Sequence, residues 1–252
     1  MAGAILLPGA VLPAELAYGA LVEALGDEIA VRAKDLEVYA TDEPPENYGL
    51  GVEIDGVIRE AEAAGFERFH LVGYSAGGAI AAAFAARHPD RLLSLALLEP
   101  AWIGNQGMSE AERRAGRELD QAAQLPAEEM MPRFVRLQLA PGTDPPPPPP
   151  EPPGPWMAKR PAGIRALLDE FKSYELDPEE LAAFTMPAYY ALGSLSNPDV
   201  YGEMANRASR TFADFELDVF EGRHHFDPPH RVEPERLATR LRELWSRATA
   251  IA

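Results

Sequence analysis

Phe69-His70-Leu71-Val72-Gly73-Tyr74-Ser75-Ala76-Gly77-Gly78 is the stretch on which the reading of this chain turns. An apolar run stops at a glycine, one serine stands between two glycines, and an alanine-rich segment follows. This is the G-x-S-x-G pattern in a strand–turn–helix setting, the arrangement that lifts a nucleophilic serine clear of a sheet. Gly73 and Gly77 supply room where a Cβ would strike a neighbouring strand or helix. A helix expected from Ser75 to Arg87 would aim its first N–H groups at the place where negative charge develops.

The chain outside this stretch agrees with an α/β protein. Its 252 residues suffice for one α/β domain with a small covering insertion, and 46% of them are apolar. The net charge of −17 repels phosphate backbones and anionic lipid, so nucleic acid and membrane surfaces are not expected partners. There is no cysteine, which excludes disulfides and thiolate metal sites. The apolar start Met1 to Leu7 lacks a basic flank and is interrupted by Pro8-Gly9, so a buried strand is expected there rather than a signal peptide. No apolar run reaches the roughly 20 residues of a membrane span, and the expected location is cytoplasmic.

Taken in order, strands are expected at Ala4 to Leu7, Ile29 to Val38, His70 to Val72, Leu92 to Leu98, Ala188 to Leu192 and Phe215 to Phe220. Helices are expected at Ala14 to Leu25, Val52 to Ala64, Asp199 to Thr211 and Glu233 to Ala248. Val52, Ile54, Val57, Ile58 and Ala61 are the apolar positions of the second helix. This alternation implies a mostly parallel, doubly wound sheet with right-handed crossovers. It stops between residues 103 and 185, where Ser109 to Leu125, Ala127 to Leu139 and Arg160 to Leu176 have helical spacing. Residues 1–102 and 186–252 then form the core, and 103–185 a helical cap over the strand ends. Within the cap, Pro141 to Pro155 reads as an extended, solvated linker rather than as a ligand for an SH3-like partner.

Ligands on such sheets sit beyond the carboxyl ends of the strands, which says where to look for chemistry. A serine hydroxyl needs a base to take its proton, and the base needs a third group to orient it. Of the five histidines, His70 lies inside a strand and His88 ends a helix, both structural places. His224, His225 and His230 share the loop after the last strand. His225 is the expected base and His224 its alternative; a histidine-cluster metal site lacks acidic or thiolate partners at ligand spacing, and no metal is expected. For the acid, Glu99 directly follows the run Leu92 to Leu98 and should emerge at the reactive end. Asp199 is the alternative, with an N-cap as its ordinary role.

The elbow Gly73-Tyr74-Ser75-Ala76-Gly77, the early strand–Pro8-Gly9 turn and the late loop Gly222-Arg223-His224-His225-Phe226 together resemble the α/β-hydrolase superfamily over essentially the whole length. The resemblance implies an α/β-hydrolase fold shortened at its N-terminus, since the usual leading hairpin is absent. It implies that Ala10 or Val11, after the Pro-Gly that replaces the usual His-Gly pair, and Ala76 supply oxyanion N–H groups. The position where members commonly carry the acid is Ser196 here. A minority place the acid after the strand that follows the elbow helix, which is where Glu99 stands.

The expected activity is therefore a serine hydrolase acting on a small ester, thioester or lactone through an acyl-enzyme, with no cofactor. Two other readings share the motifs: C–C bond hydrolysis or lyase chemistry by the same residues, and a receptor-like member in which hydrolysis is incidental. Serine rather than aspartate at the elbow argues against dehalogenase and epoxide hydrolase chemistry. Tyr74, Trp102, Met130, Met131, Phe134 and Trp156 are candidates for an apolar substrate pocket, or equally for the core of the cap. Monomer and dimer are both left open.

Overall fold

The structure, a computed structural model, describes residues 2–147 and 154–251. The expected Pro-rich linker therefore lies partly outside the described residues. Six strands, β1 (Gly3–Leu7), β2 (Ala30–Ala33), β3 (Phe69–Tyr74), β4 (Leu92–Leu98), β5 (Ala188–Gly193) and β6 (Phe215–Phe220), form one sheet in the order β2-β1-β3-β4-β5-β6, parallel throughout. Every residue of β1 and β4 is buried, as strands covered on both faces require.

The pleat sends alternate side chains to opposite faces, and two separate cores result. Ile5, Leu7, Leu71, Leu95 and Leu97 pack on one face with helices α2 (Leu50–Ala63) and α3 (Ala76–Arg87). Ala4, Leu6, Val72, Ala96 and Leu98 pack on the other with α1 (Ala14–Leu25) and the long final helix. Within α2, Ile54, Val57 and Ala61 are buried, whereas Val52 and Ile58 are only half-buried.

β2 is shorter than the stretch Ile29 to Val38 predicted from its β-branched residues. It is an edge strand with one neighbour, and its backbone is drawn away after Ala33. Asp35 Oδ1 accepts from the Ala14 N–H, and the buried Glu53 carboxylate accepts from the N–H groups of Glu37 and Val38. A 3₁₀ turn at Glu37–Tyr39 replaces the extended chain. Side-chain acceptors that compete for backbone donors end strands in this way.

Between β4 and β5 lie α4 (Glu110–Ala123), α5 (Ala127–Leu137), α6 (Arg160–Ser173) and the short α7 (Pro178–Ala182). Glu112 ties α4 down with one carboxylate. Its Oε2 accepts from the Ser109 N–H while Ser109 Oγ accepts from the Glu112 N–H, closing a capping box. Its Oε1 takes the buried Arg207 guanidinium of α8 (Glu203–Thr211), whose Nη1 also donates to the carbonyls of Ile103, Gly104 and Gln106. Every charge in this buried knot has a partner, the condition under which an ion pair can be buried without large cost. The chain closes with α9 (Pro229–Val232) and α10 (Pro234–Ile251).

The strand order sets the place of the site. From β1 the chain runs outward to β2 and returns to β3 on the other side of β1, so the crevice of an open parallel sheet falls between the carboxyl ends of β1 and β3. Pro8 and Gly9 leave β1 there, and Ser75 leaves β3. The approach is tight: a Cβ on Gly77 would stand 2.3 Å from the Leu7 carbonyl oxygen, and one on Gly73 2.3 Å from the Gly77 oxygen. Both obstacles are backbone. Gly77→Ala is accordingly expected to lose about 1–3 kcal/mol by overpacking, read as a lower urea midpoint.

Candidate active site

Ser75 ends β3 and precedes the first turn of α3 with φ 53° and ψ −117°. It and Glu99 (φ 45°) are the only non-glycine residues with positive φ among the described residues. Side chains adopt that region at a cost of order 1–3 kcal/mol, and such positions concentrate at functional sites. Ser75 is held there from both sides. Its N–H donates to the Leu98 carbonyl at 3.1 Å, and its own carbonyl accepts from Ala101 at 2.8 Å and Ala79 at 3.1 Å. The helix begins at Ala76 rather than at Ser75, leaving Ser75 at the cap with its hydroxyl free of the helix.

The hydroxyl meets an imidazole. His225 Nε2 lies 3.1 Å from Ser75 Oγ, and His225 Nδ1 lies 3.0 Å from Glu99 Oε2. A carboxylate only accepts, so Nδ1 carries the proton and Nε2 is left to accept from the serine O–H. The other carboxylate oxygen, Glu99 Oε1, accepts from the Gly193 N–H at 2.7 Å. Glu99 follows β4 and Gly193 ends β5, so two adjacent strand ends hold the Glu99 carboxylate. His225 is 2% exposed and Glu99 3%.

The imidazole is clamped between two phenol rings. Tyr201 stacks at 4.4 Å and 12°, Tyr74 at 5.0 Å and 29°. Tyr74 Oη donates to the His225 carbonyl, and Tyr201 Oη donates to Gln138 Oε1 at 2.6 Å. Burial, reinforced by the Glu99 charge, drives both phenols well above their ordinary pKa, so both stay neutral donors. Tyr201 and Gln138 had no signal in the sequence: neither follows a strand nor belongs to a motif.

The alternatives stand elsewhere. Asp199 is held out on the surface by Arg114, and it is not the N-cap expected as its ordinary role: Asn197 fills that place, its Oδ1 accepting from the Asp199 N–H. Asp199 sits in a π-type turn at Pro198–Gly202 that precedes α8. His224 pairs with Asp227 at 3.3 Å and accepts from the Phe226 N–H, away from Ser75. Ser196 Oγ is buried without a partner among the described residues.

Ser75, Ala10 and Ala76 line one small cavity together with Phe134, Tyr201 and Gln138. Among the described residues neither the Ala10 nor the Ala76 N–H is spent on another group of the chain. The Gly77 N–H is spent, on the Pro8 carbonyl at 3.0 Å. Val11 is not among the lining residues. A second, larger cavity adjoins, with Trp102 in its wall. Of the expected pocket residues, Phe134 and Trp102 therefore face cavity space. Met130 is fully buried in the core, and Met131 and Trp156 line neither cavity. Tyr74 lies behind the imidazole instead, because its ring fills the gap between His225 and His230.

His230 is a second buried imidazole that touches this layer. It is fully buried between the rings of Tyr18 and Tyr74, and neither ring nitrogen has a partner among the described residues. Burial, with smaller contributions from Arg231 and His225, lowers its pKa to about 3. The unfolded chain protonates this group near its ordinary value of about 6.5. Its neutral state therefore favours the fold fully above that value and progressively less as pH falls toward 3. His230→Leu is expected to flatten the acid side of the stability profile by up to about 1 kcal/mol per pH unit between pH 6 and 4, read as urea midpoints. An unchanged slope would remove His230 from the account. His70, lowered by burial to about 4, acts in the same sense and stays in the variant.

Comparisons with known proteins bear on the same region. The sequence model described as the alpha/beta hydrolase fold matches residues 52–131. A fluoroacetate dehalogenase from Burkholderia sp. is 36% identical over 81 residues, 30% of this chain and 27% of that protein, so the chain matches about a quarter of its relative's length. Among solved structures, a thermophilic esterase from Thermogutta terrifontis superposes with a TM-score of 0.70 at 20% identity, covering 98% of this chain and 90% of that one. Naproxen esterase from Bacillus subtilis superposes with a TM-score of 0.64 at 19% identity, covering 97% and 84%. Among the described residues, no helix is long and apolar enough to cross a membrane, and no group of acidic residues and histidines could hold a metal ion.

Proposed function

We propose that this chain, which belongs to the α/β-hydrolase superfamily, is a serine hydrolase that cleaves carboxylic esters through an acyl-enzyme. The observation that carries the reading is the continuous relay Ser75 Oγ–His225 Nε2, His225 Nδ1–Glu99 Oε2, with links of 3.1 and 3.0 Å. The esterase neighbours support it only as company in the same fold.

The proposed reaction runs in these steps. Ser75 Oγ attacks the carbonyl carbon as its proton passes to His225 Nε2. Glu99 offsets the imidazolium charge and holds the ring through Nδ1. Charge collecting on the former carbonyl oxygen is met by the Ala10 and Ala76 N–H groups and the positive end of α3; losing one such donor typically costs about 10²–10³ in turnover. His225 Nε2 then protonates the departing alkoxide. Water attacks the acyl-enzyme with His225 as its base, and Ser75 is restored. The helices between β4 and β5 act as a cap that excludes bulk water, which strengthens each of these charge interactions.

The relative named for fluoroacetate does not redirect the chemistry. The elbow here presents a hydroxyl, and displacing halide from carbon in the manner expected of that branch would need a carboxylate at position 75. The test is turnover of small neutral esters together with labelling by a p-nitrophenyl phosphonate. One equivalent of label on the peptide bearing Ser75, with parallel loss of turnover, is expected. Label on another residue, or esterase activity that survives complete labelling, would overturn the reading.

A further inference from the structure

The cavity at Ser75 is small. Its volume is about 40 Å³. The adjoining chamber has about 270 Å³. Leu119 of α4, Leu168 and Phe171 of α6, and Val200 and Ala101 from the core line both spaces.

The larger chamber is apolar in character. Trp102 stacks on Phe171 at 5.8 Å and 10° along one wall, and Met204 and Val200 complete it. The charges at its edge are already paired: Arg113 and Arg117 with Glu110, Lys172 with Asp120, Arg207 with Glu112. Each of these cations lies in an ion pair, with Arg113 and Arg117 sharing the one Glu110 carboxylate. At Gly116 of α4, in the lining, an added Cβ would meet nothing within 4 Å. A helical glycine is unfavourable against alanine by about 1 kcal/mol, so open space stands where a side chain would help the helix.

Resting on the ester hydrolase reading above, we propose that the site takes esters with one short arm and one bulky apolar arm. The short arm lies in the smaller cavity at Ser75. The bulky arm passes Leu119, Leu168 and Phe171 into the chamber beneath Gly116. An ester with two bulky arms has nowhere to put the second. Filling the chamber from position 116 therefore changes which esters react, without touching the reacting groups.

The experiment compares ethyl acetate, 2-naphthyl acetate, methyl 2-naphthylacetate and 2-naphthyl 2-naphthylacetate on the wild type and on Gly116→Trp. Leu119→Trp, which adds bulk at a half-buried position lining both spaces, is the second variant. The ratio of variant to wild-type kcat/KM for each ester cancels intrinsic reactivity. Expected is a loss of about tenfold or more for the preferred single-arm naphthyl ester in both variants, with ethyl acetate changed by less than about threefold in Gly116→Trp. The two-arm ester should react at least about 100-fold more slowly than that single-arm ester in the wild type. Equal losses on ethyl acetate and the naphthyl ester in Gly116→Trp, or equal turnover of one-arm and two-arm esters, would overturn the proposal while leaving the hydrolase reading intact. Should no ester react, that reading fails first. The chamber is then tested by the fluorescence of bound 2-naphthol, whose binding the Gly116→Trp variant must weaken if the proposal holds.

Discussion

Ser75→Ala is expected to lower kcat toward small esters by about 10⁴–10⁶-fold, with KM little changed. The hydroxyl is the only atom removed, and it is the atom 3.1 Å from His225 Nε2. The fold should not follow it down. The positive φ of 53° is imposed by backbone bonds to Leu98, Ala79 and Ala101, all of which survive the substitution. Alanine carries the same Cβ, so the strain is unchanged too. Urea midpoints should therefore agree within about 0.5 kcal/mol, the usual range for a change that breaks none of the strongly stabilising features. What remains of the rate should come from the oxyanion donors and binding alone, which elsewhere leave about 10³–10⁴ over water. Activity retained within tenfold of the wild type would mean that another nucleophile does the work, and the acyl-enzyme at Ser75 would be abandoned.

Much of this arrangement is visible before any coordinates, for a physical reason. A residue that directly follows a parallel strand has its place decided by the strand, so local sequence is enough to find it. Leu92 to Leu98 is apolar at every position but Ser94, a run that suits a strand covered on both faces, and Glu99 then emerges at its carboxyl end. Ser75 is placed in the same way by β3 and its glycines. The residues around them are set by tertiary packing instead. Tyr201 reaches the His225 ring because a π-type turn precedes α8, and nothing in Pro198-Asp199-Val200-Tyr201-Gly202 announces that turn. Leu119 and Leu168, which line both cavities, are apolar positions on amphipathic helices. Periodicity says that such positions turn inward and is silent on whether they meet a neighbour or a void. Met130 and Trp102 both belong to the buried core, yet only Trp102 also walls a chamber. β2 is shorter than its residues suggest for a tertiary reason too. β-branched residues favour extended chain, but Glu53 claims the backbone donors of Glu37 and Val38.

The choice between the two carboxylates carries the second large effect. Glu99→Gln is expected to lower kcat by about 10³–10⁴-fold, through the proton position on His225 rather than through lost packing. The Gly193 N–H donates to the position of Oε1 at 2.7 Å. A glutamine in the same place keeps its carbonyl oxygen there, because the amide nitrogen cannot accept. Its NH₂ is thereby turned toward His225 Nδ1, which must now accept. The ring proton moves to Nε2, the nitrogen that has to receive the proton of Ser75, and the hydroxyl loses its base. Asp199→Asn removes only an exposed ion pair with Arg114, and such pairs are worth about 0–1 kcal/mol. Its effect on kcat should stay within about threefold, the rate equivalent of well under 1 kcal/mol. Both variants should show the wild-type circular dichroism spectrum. In the Glu99 variant, ¹⁵N shifts of the His225 ring should report the neutral tautomer with its proton on Nε2. A crippled Asp199→Asn beside a nearly normal Glu99→Gln would transfer the acid's role to Asp199 and require the 126-residue separation between Glu99 and His225 to close for packing alone.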